Sequence, residues 1–184
     1  MMIKDFLLEQ FNLRGETPGV WILSAHRLKR SADIVFNAYE IDLKALENGS
    51  SPLELNNLEI AGVATLLYGL SIENILKAII IRDNLNPAES GKLREWPGSG
   101  HDLLSLAKES GIDSNFSQSQ CDILRRLGAF IEWAGKYPVP KKASKIYLRQ
   151  LNINRPFLPT PLQPYERILL NELFDSLLAV SSLG

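Results

Sequence analysis

The amino-acid sequence predicts an all-α protein, an antiparallel four-helix bundle with extra helices at its N- and C-terminal ends. Three observations carry that expectation. Apolar residues recur at three- and four-residue steps along most of the chain, and no run of strict alternation is long enough to argue for a sheet. Clusters of Pro, Gly, Asn and Ser fall far enough apart to bound helices. The 184 residues, 45% of them hydrophobic, suffice for a single domain (1–184) whose core needs no staple.

The opening residues Met1 to Gln10 form an apolar patch broken by Lys4, Asp5 and Glu9. They read as an amphipathic helix, lacking the continuous apolar run and cleavage site of a signal peptide. At Thr17-Pro18-Gly19 threonine can cap and proline suits an early helical position, so a helix is expected from about Val20 to Leu46, ended by Asn48-Gly49-Ser50-Ser51-Pro52. A second follows Ser51-Pro52 and runs through Leu66, Leu70, Leu76 and Ile80 until Asn84-Leu85-Asn86-Pro87 stops it. Gly62 and Gly69 inside it mark close approach of another helix. Residues 86–100, with two prolines and three glycines, read as a loop. A third, shorter helix starts near His101-Asp102 and ends by Gly111, and a fourth runs from about Ser117 to Ala134. The segment 138–164 holds six of the ten prolines and has no room for long regular structure. A last helix, Tyr165 to Val180 within the segment 165–181, closes the domain around a bundle core spanning 20–140.

With 20 basic against 21 acidic residues the chain is neither uniformly basic nor an acidic disordered tail. A lone Cys121 forms no intramolecular disulfide, and two histidines exclude a Cys/His zinc cluster. A reducing, cytoplasmic setting is expected. The most apolar stretch, Ile60 to Ile81, carries Glu73, Asn74 and Lys77 and runs straight into Arg82 and Asp83, which argues against a membrane span.

Charges that break the apolar pattern are the candidate functional residues. On a helical wheel with Glu73 at zero, Lys77 falls about 40° away while Leu66, Leu70, Leu76 and Ile80 fall within about 60°. Both charges therefore sit inside an apolar arc, one turn apart and in the favourable order for an ion pair. They form either a structural pair at the core edge or a polar site in a cleft between helices. His101, beside Asp102 at a helix start, is either a near-cap structural group or an acid/base or phosphate contact. His26, on a mixed face with Lys29 and Asp33, is a weaker candidate. Arg126, Phe130, Trp133 and Tyr137 recur at helical spacing, as an anion-holding aromatic face or as an interface.

From Trp133 to Tyr165 there is no acidic residue, while Lys136, Lys141, Lys142, Lys145, Arg149 and Arg155 supply six positive charges among aromatics. That pattern suits a phosphate backbone with stacked bases, and equally an ordinary solvated loop. No phosphate loop, dinucleotide fingerprint, histidine metal pair or nucleophile elbow appears, so neither a metal nor a cofactor is implied.

Taken together, these segments resemble the HEPN superfamily of helical bundles. The resemblance rests on Tyr68-Gly69-Leu70-Ser71-Ile72-Glu73-Asn74-Ile75-Leu76-Lys77-Ala78, on Gly100-His101-Asp102-Leu103-Leu104-Ser105-Leu106, and on Ile131-Glu132-Trp133-Ala134-Gly135-Lys136-Tyr137-Pro138-Val139-Pro140. It implies a commonly dimeric four-helix bundle that binds or cleaves RNA in toxin–antitoxin and defence systems, with an antitoxin as a possible partner. Ribonucleases of that family carry an arginine followed after four to six residues by a histidine. Here Phe130, Ile131, Glu132 and Trp133 stand where Arg125 and Arg126 would call for that histidine. The formal match is Arg94 to His101, across a loop.

The expectation is a homodimer that binds nucleic acid or a nucleotide, with Arg126, Trp133, Lys136, Tyr137, Lys141 and Lys142 as contact face and Glu73 and Lys77 shaping the cleft. Two alternatives stand beside it. One is a metal-independent endoribonuclease with His101 as acid/base and Arg94 or Arg126 on the phosphorane. The other is a non-catalytic protein-interaction subunit.

Overall fold

A computed structural model describes residues 2–51, 57–83, 88–89, 91–146, 148–149 and 156–182. Among these residues the chain is all-α, with six α-helices: α1 Met2–Glu16, α2 Pro18–Glu47, α3 Ala61–Asp83, α4 Leu103–Glu109, α5 Gln118–Ala129 and α6 Arg167–Ser181. Two antiparallel ladders of two-residue strands, Ala88–Glu89 with Lys92–Leu93 and Leu148–Arg149 with Pro156–Phe157, decorate the connections. The start of α3 expected at Ser51-Pro52 falls in part outside the described residues; among those described, a 3₁₀ turn Leu58–Ile60 leads into the helix at Ala61.

The starts follow from local chemistry. Pro18 opens α2 where its missing N–H costs nothing. Asp102 caps α4, its Oδ1 accepting from the Leu104 and Ser105 amides, both at 3.2 Å. Ser117 and Gln120 make a reciprocal capping box on α5. α5 ends differently from an ordinary helix: Phe130–Ala134 continues it as one π-turn, closed by Gly135.

α3 is the hub, packing on α2, α4, α5 and α6. From Ile72 to Ile81 its apolar residues are buried on every side, which is what a central helix requires, while Val63 near its start is exposed. Leu58–Asp83 has the length and hydropathy to cross a membrane, and 78% of its most apolar window is buried inside the protein. One hydrophobic cluster joins Phe36 of α2, Ile72 and Ile79 of α3, Leu106 of α4, Leu127 of α5 and Leu173 of α6. Gly69 allows close approach, since a Cβ there would stand 2.8 Å from Ile131 Cγ1 and 3.1 Å from the Leu127 carbonyl. Gly62 does not need its missing side chain for packing: a Cβ there would meet Phe130 at an ordinary 3.6 Å.

Candidate functional site

Glu73 and Lys77 point into the interior, each 6% exposed. Lys77 Nζ donates to Glu73 Oε1 at 2.5 Å. The second carboxylate oxygen, Oε2, lies 2.8 Å from His101 Nδ1. A buried pair needs its remaining lone pairs satisfied to offset desolvation, and the imidazole does that for Glu73. Trp96 covers the ammonium: Lys77 Nζ lies 5.1 Å from its ring centroid, and the Trp21 ring meets it edge-on at 5.8 Å.

His101 is presented by the turn before α4. Gly100 N donates to Pro97 O at 3.1 Å, with Gly98 and Gly100 at φ +65° and +74°, conformations that side-chain-bearing residues resist. Gly128 of α5 packs on the same turn, and a Cβ there would come within 3.1 Å of the His101 carbonyl. A charged carboxylate accepts and never donates, so in neutral His101 the Glu73 contact places the proton on Nδ1 and leaves the Nε2 lone pair bare. The side chain is 39% exposed. Among the described residues Nε2 has no hydrogen-bond partner.

That ring borders a cleft with two compartments, of about 660 and 380 Å³. The larger lies between the α4 start and α5, with Leu104, Arg125 and Gly128 on its walls. The smaller lies between the π-turn and the segment that follows it, walled by Trp133, Tyr137 and Pro140 under Lys136, Lys141 and Lys142. Thus His101, Trp133, Lys136, Tyr137, Lys141 and Lys142, selected from sequence, border one depression. Its charge is mainly positive. Asp102 is engaged in capping, and Glu132 accepts a hydrogen bond from Lys145 across the cleft.

Two selected arginines lie elsewhere. Arg94 is ion-paired with Glu109 and stacks on Trp96 at 5.3 Å, so it does not border the cleft with His101. Its guanidinium follows the nearest fixed carboxylate, on α4, rather than the histidine close to it in sequence. Arg126 is paired with Glu166 and borders a separate cavity of about 320 Å³ beside Tyr165. The aromatic stripe from Arg126 to Tyr137 is split as well. The π-turn widens the helix, burying both Phe130 and Trp133, the latter behind the cleft wall, and leaving Tyr137 beyond the helix end, 57% exposed. His26 does not reach this region; its ring meets Phe174 edge-on at 5.7 Å.

Sequence reasoning passed over Trp96, Ser99, Arg125 and the Glu132–Lys145 pair as parts of this region. The one signal for Trp96 was a large aromatic in a Pro/Gly loop, which needs something to cover. No protein-family model, curated protein or solved structure significantly matches the chain.

Proposed function

We propose that this chain is a HEPN-like four-helix bundle that acts as a homodimer and binds single-stranded RNA or a nucleotide in the cleft beside His101. The observation that supports the reading is the gathering of His101, Trp133, Lys136, Tyr137, Lys141 and Lys142 around one depression. Lysines neutralise phosphates, and aromatic faces stack bases without regard to sequence. The face of α1 bearing Ile3, Phe6, Leu7 and Leu13 is exposed and offers apolar area for a second copy.

Fluorescence anisotropy with a labelled oligouridylate tests the binding. Neutralising about three phosphates on a single strand gives a log–log salt slope near −2. Lys136→Glu and Lys141→Glu should each weaken binding and flatten that slope. No affinity at low salt, or indifference to both reversals, overturns the reading.

A second reading, metal-independent RNA cleavage, is favoured by the 2.8 Å contact between Glu73 and His101 Nδ1. Nε2 would take the proton of the attacking 2′-hydroxyl and return it to the 5′-oxygen as the P–O5′ bond breaks, and the cations beside the cleft, Arg125 and Lys145, would stabilise charge developing on the phosphoryl oxygens. RNA cut in EDTA by the wild type and left intact by His101→Ala supports it; equal cutting by both, or by neither, removes it.

A further inference from the structure

The two compartments of the cleft meet at a waist of Ser99, His101, Glu132, Trp133 and Lys145. Across that waist the Lys145 ammonium donates to the Glu132 carboxylate. Their side chains are 48% and 34% exposed, so the pair is solvated. Pairs of this kind shift an equilibrium by no more than about fivefold. Lys77–Glu73 is the opposite case, since both its partners are buried and neither can be released to water at little cost. Glu132–Lys145 is therefore the contact a ligand can open.

What would open it follows from charge. A phosphodiester carries one negative charge and accepts hydrogen bonds from an ammonium, as a carboxylate does. Exchanging one for the other at Lys145 keeps that ammonium paired while Glu132 turns to solvent. On each side of the waist lies a compartment within or above the lower range for a small-molecule site. One offers the exposed Tyr137 ring as a stacking face, with the buried Trp133 behind it; the other offers Leu104 as an apolar wall, with Leu103 and Leu124 buried beneath it.

Resting on the reading of this cleft as a nucleic-acid site, we infer that the waist binds one phosphodiester in place of Glu132, with the two nucleosides it joins in the two compartments. The ligand class is then a single-stranded dinucleotide step. A mononucleotide fills only one compartment, and a duplex keeps its base faces stacked away from Tyr137. Glu132 serves as a resident stand-in for the phosphodiester.

The test uses the full chain and a labelled oligouridylate, with uridylyl-uridine and uridine monophosphate as competitors. The dinucleotide should compete at least about tenfold better than the mononucleotide. Glu132→Gln should tighten oligouridylate binding about threefold to fivefold, the reach of such a pair. Glu95→Gln, which removes an exposed carboxylate that does not border the cleft, should change it by less than half that factor. Lys145→Gln should abolish the gain in the double variant. Equal competition by the two nucleotides, equal gains from both glutamate variants, or a gain that survives loss of Lys145 overturns the waist assignment alone. Absence of wild-type binding at low salt overturns the parent reading and this one together.

Discussion

From buried side chains of α3, Tyr68 on one side and Glu73 with Lys77 on the other, two polar chains start and end in opposite ways. Near its start, Tyr68 donates to Asp33 Oδ1 at 2.7 Å, and Lys29 holds both oxygens of the same carboxylate at 2.9 and 3.1 Å. Arg167 approaches Asp33 at 3.6 Å and donates to Asn37 and Glu40, both at 2.7 Å. That network closes on itself. Its acids, bases and hydroxyl satisfy one another, and they tie α2, α3 and α6 together. Five residues further along, the chain Lys77–Glu73–His101 runs outward and stops at an imidazole nitrogen facing a cationic cleft. A saturated network describes a joint between helices, whereas one left open at a solvent-facing base describes a place where a ligand completes the set.

The comparison is broken most forcefully at Glu73. Glu73→Gln leaves the Lys77 ammonium buried without its counter-charge, at an expected cost of about 3–5 kcal/mol in urea unfolding. Glu73→Leu with Lys77→Met should recover most of that loss, because two uncharged side chains carry no desolvation cost, yet it frees His101 Nδ1. A loss below about 1 kcal/mol in the single variant would contradict the burial of the pair.

Tyr68→Phe probes the closed network. Removing a hydrogen bond to a charged acceptor should cost about 1.5–3 kcal/mol and leave oligouridylate binding unchanged. Burial, and next the bond to Asp33, raise the Tyr68 pKa far above the usual phenol range. The folded state thus favours the neutral phenol, so this contribution is complete below the unfolded pKa near 10 and declines as pH rises beyond it. A spectrophotometric titration should show one tyrosine ionising only with alkaline unfolding.

Gly69→Ala tests the helix contact between the two networks. Its Cβ would collide with Ile131, and overpacking of that kind costs about 1–3 kcal/mol, read as a lowered Tm. The smallest effect belongs to Asp83 at the end of α3. The hydrogen bond from Arg82 holds its carboxyl below the usual range, so its contribution is present above the unfolded carboxylate pKa and fades as pH falls. The pair is solvated, and Asp83→Asn should change stability by no more than about 0.5 kcal/mol.

Much of the helical framework is legible in short stretches of sequence. Pro18, Asp102 and Ser117 act on backbone groups within a turn, and their effect needs no knowledge of the rest of the chain. Glu73 and Lys77 are legible as buried because periodicity alone places them among Leu66, Leu70, Leu76 and Ile80. The aromatic stripe from Arg126 to Tyr137 is not. Helical spacing assumes 3.6 residues per turn, and the π-turn at Phe130–Ala134 breaks that assumption where the side chains matter. The pairing of Arg94 with His101 fails for a related reason: in a Gly/Pro loop, closeness in sequence does not fix which way a side chain turns.

By itself the sequence determined the helical class, several helix starts and the presence of two charges inside an apolar arc, because caps and periodicity are set by neighbours along the chain. Only the tertiary structure decided the partners. Glu73 meets His101 across 28 positions, Lys145 meets Glu132 across 13, and Arg126 leaves the expected face for Glu166 across 40. Those pairings depend on how closely the helices approach and how they are rotated. Volumes such as the missing Cβ of Gly69 and Gly128 control that packing, and no local pattern records it.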